Sequence, residues 1–182
     1  MSTAAYITAL SIGMFAVITA SANAAEEPNN KPADTVIAAP AVVTDPLVKY
    51  KDAKSLTKVE LVELLDAVGF KGKQLKVAWA IAIKESGGRP VAHNKNANTG
   101  DNSYGLFQIN MIGDLGPARL DKFGLTKNAD LFDPVVNAQI TFHMSRGGED
   151  WGSWGLGPNS YKGTAGQALV DEFILDFPKS AV

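Results

Sequence analysis

"AWAIAIKESGGRP", Ala78–Pro90, puts a carboxylate at the end of a run that has no obvious use for one. Val77 to Ile83 is apolar at every position, which reads as a helix buried nearly all round. Gly87-Gly88 with Pro90 beyond closes it, so the spacing predicts a helix over 72–86. Glu85 therefore emerges from packed surroundings at a helix C-terminus, where burial and the macrodipole both favour the protonated form. A carboxylic acid held in that form is what general-acid catalysis needs; the plain alternative is a solvated helix-end glutamate.

Working outward, Thr57 and Glu60 have capping-box spacing, and Leu56, Val59, Val62, Leu65 and Val68 recur at helical period up to Gly69. After the central helix comes a polar stretch, "RPVAHNKNANTGDNS", read as a loop over 89–103, then a short apolar element from Leu106 to Met111. Leu115–Phe123 and Pro134–Ser145 read as further helices, the second with Asp133 as cap and Pro134 at its first position. Ala165–Phe177 reads as the last. These elements describe a mainly α single domain with a small irregular or β-containing loop region, spanning 47–182.

The N-terminal part is different. Tyr6 to Ala20 carries no charge, and Ala22-Asn23-Ala24 offers a small-x-small step, so residues 1–24 read as a signal peptide or membrane-inserting segment. No Lys or Arg precedes Tyr6, and the apolar run is short for a membrane span. Residues 25–46 hold Pro28, Pro32, Pro40 and Pro46 among Ala and acidic residues, a composition that suits an extended linker.

Charge narrows the partners. The chain has 17 Lys+Arg against 19 Asp+Glu, a net −2, without a basic block interleaved with aromatics, which argues against nucleic acid. Cysteine is absent, so thiolate metal sites and disulfides are excluded. His93 and His143, the only histidines, lack partners at metal-binding spacing. No metal and no cofactor is expected, and the catalytic domain is expected to be monomeric.

"KESGGRP", then "SYGLFQIN" starting 18 positions after the glutamate, then "DLFDPVVNAQITF", together resemble the lysozyme-like superfamily. The pattern is nearest the soluble lytic transglycosylase and goose-type lysozyme branch and the peptidoglycan-cleaving domains of phage virions. It covers about Lys54 to Trp154 and implies an α+β lysozyme-like fold, cleavage of the MurNAc–GlcNAc β-1,4 bond of a peptidoglycan glycan strand, and an extracytoplasmic or virion location. It also implies roles residue by residue. Glu85 matches the catalytic acid and Ser86 the hydroxyl residue beside it. Tyr104, Gly105, Gln108 and Asn110 match the strip lining the cleft, and Asn137 a polar residue on a facing helix, whose alternative is ordinary packing. Gly105 is expected to let backbone approach sugar.

Two departures matter. Ser103 stands where animal lysozymes with two catalytic carboxylates have an aspartate, leaving Asp101 as the candidate second carboxylate; the alternative is a solvated loop residue. On that alternative Glu85 acts alone and the substrate's own acetamido or 6-hydroxyl group attacks; the 6-hydroxyl route, a lyase reaction, is the one narrowly favoured. Second, the "AYN"-type tyrosine of the transglycosylases is missing, with Tyr161 a poor substitute. Trp151 and Trp154, in the Gly-rich "RGGEDWGSWGLG", are candidates for stacking on sugar, or else core residues. Competing with the enzyme are a non-catalytic glycan-binding or structural virion module, and an anchored regulator that uses the domain for docking.

Overall fold

The computed structural model describes residues 45–96, 98–157 and 163–179. The segment over residues 1–24, the linker up to residue 44 and Tyr161 lie outside the described residues. Among the described residues, no helix is long and apolar enough to cross a membrane.

Thr57 starts the first helix, α1 (Lys58–Val68), with both halves of the capping box formed: its hydroxyl accepts from Glu60 N at 3.2 Å and its own N–H donates to Glu60 Oε2 at 2.8 Å. Helix α2 (Gly72–Ser86) is the central rod. Ala78, Trp79, Ala80, Ile81 and Ala82 have no exposed surface, so the apolar run is buried on every side. Gly87, with φ +67°, and Gly88 donate to the carbonyls of Ile83 at 2.8 Å and Ala82 at 3.2 Å. This left-handed cap stops the rod one residue after Ser86.

The stretch read as a loop over 89–103 holds a β-hairpin. Strands β1 (His93–Asn96), β2 (Asp101–Tyr104) and β3 (Ile109–Asn110) form an antiparallel sheet in that order, with Asn94 opposite Ser103 and Ser103 opposite Asn110. Asn and Asp are poor strand formers, so the strands are held by pairing across the sheet rather than by local preference.

Helix α3 (Leu115–Phe123) follows, then α4 (Pro134–Met144), whose Asp133 cap accepts from Val135 N at 2.8 Å and Val136 N at 3.4 Å. Helix α5 (Gly163–Ile174) packs on α2. Short 3₁₀ turns, Val48–Tyr50, Asn128–Phe132 and Gly152–Trp154, join these elements. The main core gathers α1, α2, Leu106, Phe107 and both C-terminal tryptophans; a smaller one joins Ile109, Met111, Leu131 and Ile140. Among the described residues, five helices with one small sheet make the mainly α, α+β arrangement that the resemblance implied.

Candidate active site

The pleat of the sheet decides which residues share a face. Successive strand residues point to opposite sides, so Asp101 and Ser103 share one face while Asn102 and Tyr104 share the other. Opposite Ser103 stand Asn94 and Asn110, which gives the first face a wholly polar lining. That face and the end of α2 enclose a cavity of about 200 Å³, lined by Glu85, Asn94, Asp101, Ser103, Gln108, Asn110, Ser153 and Trp154.

Glu85 enters the cavity from the last turn of α2, its side chain 18% exposed. Its Oε1 pairs with Nζ of Lys84, whose side chain is only 8% exposed. The helix end thus carries a carboxyl group that faces a neighbouring ammonium. A buried ammonium needs such a partner, and Glu85 supplies it to Lys84.

Across the cavity, Asp101 is held from two sides. Ser103 Oγ donates to its Oδ1 at 2.8 Å, and Asn94 Nδ2, diagonal to it across the hairpin, donates to its Oδ2 at 3.1 Å. Asp101 is thus a partly buried strand residue in the cavity wall, not the solvated loop aspartate of the alternative reading. The Ser103 hydroxyl is committed to it.

Gln108 adopts φ +48°, a left-handed conformation that costs a non-glycine residue energy and persists only when neighbours fix it. They do: Nε2 donates to Gly105 O at 2.9 Å and to Ala92 O at 3.2 Å. Asn110, also in the lining, has its Oδ1 accepting from Ile112 N at 3.0 Å and Asn102 N at 3.3 Å.

Other expected site residues lie elsewhere. Ser86 is buried, donating to Ala82 O at 3.0 Å and accepting from Arg89 N at 3.2 Å; it finishes the helix that presents Glu85. Tyr104 is on the reverse of the sheet, stacked on His93 with ring centroids 4.3 Å apart. Gly105 (φ +75°) is fixed from within: a Cβ there would stand 2.2 Å from Asn137 Nδ2 and 2.3 Å from Leu131 O. Its close approach is to protein, not to sugar. Asn137 is fully buried, and its amide donates at 2.9 Å to both Tyr104 O and Leu131 O while its oxygen accepts from Phe107 N at 3.0 Å.

The tryptophans divide. Trp151 is in the core, donating to Gly148 O at 2.9 Å and stacked between Phe70 and Phe107. Trp154 lines the cavity, but its indole N–H is taken by Phe107 O at 2.8 Å. Sequence reading missed Lys84, Asn94 and Ser153. Strand alternation would have flagged Asn94 only once the polar stretch was known to be a hairpin. Among the described residues, no cluster of His, Asp or Glu is arranged to hold a metal ion.

The cavity thus brings together a carboxyl group at a helix end, a second carboxylate aimed by two donors, and neutral side-chain amides. A family model described as a lysozyme-like domain matches residues 62–156, more than half of the chain and inclusive of every residue lining that cavity. No curated protein and no solved structure matches the chain.

Proposed function

Because the chain belongs to the lysozyme-like domain family, we propose that it cleaves the MurNAc–GlcNAc β-1,4 bond of peptidoglycan, with Glu85 as general acid and Asp101 as the residue that activates water. The observation that carries this reading is that Glu85 and Asp101 line one cavity from opposite elements, α2 and β2. In its protonated form Glu85 gives its proton to the bridging oxygen, so that O4 of GlcNAc departs as a hydroxyl. Water adds to C1 of MurNAc and gives its proton to Asp101. The carboxylate left on Glu85 is the species that Lys84 pairs with, which stabilises the charge as it develops.

Two carboxyl groups with a water between them define the inverting geometry. Hydrolysis is preferred over the lyase because the hydrogen bonds from Ser103 and Asn94 orient Asp101, an expense of polar groups that a bystander would not need. A peptidoglycan substrate lies outside the cytoplasmic membrane, hence our proposal of an extracytoplasmic or virion-borne protein. Clearance of wall suspensions by wild type and by Glu85→Gln tests the assignment. The enzyme reading expects a loss of at least about 10²-fold on removing the acid. A non-catalytic glycan-binding or virion module, or an anchored docking protein, would clear neither before nor after the substitution.

A further inference from the structure

Helix α3 is pressed against the strip that lines the cavity. A Cβ on Gly116 would stand 2.7 Å from Met111 O, so glycine there lets the helix approach. One turn on and on the same face, Arg119 directs Nη1 to the carbonyl of Asn110, a cavity residue. The ion pairs among the described residues are Lys49–Glu63, Lys71–Asp66 and Lys84–Glu85; Arg119 is in none of them. Its guanidinium is half-buried, and loss of hydration alone pulls its pKa below the ordinary value, with no carboxylate opposing.

An arginine carries five donors in a planar fork, and the single backbone carbonyl occupies one edge of it. Taking such a group partly out of water without an anion is unfavourable unless an anion arrives. The cavity itself offers none a welcome: it is lined by Glu85 and Asp101, and Lys84 is already engaged by Glu85. Arg89 is near the same helix end, but it is exposed and its Nε caps Ser86 O at 2.8 Å.

We propose that Arg119 forms a carboxylate-binding subsite beside the cavity, which receives an acid carried on the 3-O-lactyl branch of MurNAc. This rests on the glycan-cleaving reading above. The carboxylate has two sources: the lactyl acid itself in peptide-free strands, or an acidic residue of the attached stem peptide. In either case the fork binds it through charge-assisted hydrogen bonds, and the subsite distinguishes peptidoglycan from chitin, which has no such branch.

The test measures binding by the full-length Glu85→Gln chain, so that ligands survive. Three soluble ligands are compared: a chitin tetramer, a peptide-free GlcNAc–MurNAc oligomer and a peptide-bearing one. Adding Arg119→Met should lower the affinity for an anionic oligomer relative to the chitin tetramer by about tenfold, the scale of one hydrogen bond to a charged group. Arg119→Lys should recover part of that ratio. Loss confined to the peptide-free oligomer assigns the lactyl acid, and loss confined to the peptide-bearing one assigns the stem. An unchanged ratio in Arg119→Met, including the case of equal weakening on all three ligands, overturns the subsite. Failure of the Arg119 chain to bind any of the three overturns the glycan reading on which it rests.

Discussion

Asn137, on α4, holds Phe107, in the strip that lines the cavity, by a 3.0 Å hydrogen bond from the Phe107 N–H to its side-chain oxygen. Its amide group meanwhile satisfies the carbonyls of Tyr104 and Leu131. One fully buried side chain thus pairs three backbone groups from two separate segments. Asn137→Leu removes the side-chain partner of one N–H and two carbonyls. Each costs about 1–3 kcal/mol, so a loss of about 3 kcal/mol or more in stability is expected from urea unfolding. A change below about 1 kcal/mol would mean that the strip does not depend on this clamp.

The Ser103–Asp101 contact makes a kinetic prediction. Ser103→Ala removes one of the two donors that orient Asp101 and adds no bulk. If Asp101 activates water, kcat should fall by about tenfold while KM stays near wild type, as for loss of a transition-state interaction. Asp101→Asn should fall further, by about 10²-fold or more. Steady-state rates on soluble glycan oligomers check both, and full activity in Asp101→Asn would remove the second carboxylate from the mechanism.

Acid should destabilise the fold through three surface carboxylates. Hydrogen bonds from Thr57 hold Glu60 below its ordinary 4.5, those from Lys49 and Tyr50 do the same for Glu63, and those from Thr126 hold Asp130 below its ordinary 3.8. Folded-state values that are depressed contribute stability above the unfolded pKa, and that contribution is lost as pH falls through the folded one. The thermal midpoint should therefore be flat near neutrality with respect to these groups and drop on acidification below about 4.5. Asp130→Asn should lower the midpoint at pH 7 and reduce the acid drop. An acid drop of undiminished size in that variant would contradict the assignment to Asp130.

The helices were legible because their signals are local. The apolar run through Val77–Ile83, the Thr57–Glu60 capping box and the Asp133-Pro134 start each depend on neighbours within one turn. Helix α2 runs from Gly72 to Ser86, as its pattern implies; α4 ends one residue earlier than expected, and α5 begins and ends ahead of the expected 165–177. The hairpin was hidden because its polar residues have no strand pattern of their own and are fixed by cross-strand pairing.

The site was legible only in part, for a related reason. Glu85, Gln108 and Asn110 come from short motifs whose spacing survives in sequence. The reasons for Gly105, Asn137 and Trp151 are tertiary: each is set by atoms that other segments bring against it. A motif match places such residues near the cavity without telling which way they face. The same holds for Asp101, whose orientation depends on an asparagine from the opposite strand.

The mass of the fragments released from purified peptidoglycan in heavy-oxygen water, by wild type and by Glu85→Gln, separates hydrolysis from the lyase. Hydrolysis with Glu85 as acid and Asp101 activating water predicts fragments ending in reducing MurNAc that carries one heavy oxygen. Their yield from Glu85→Gln should be lower by at least about 10²-fold. Release of 1,6-anhydro-MurNAc ends would contradict the role given to Asp101, and release undiminished by Glu85→Gln would contradict the role given to Glu85.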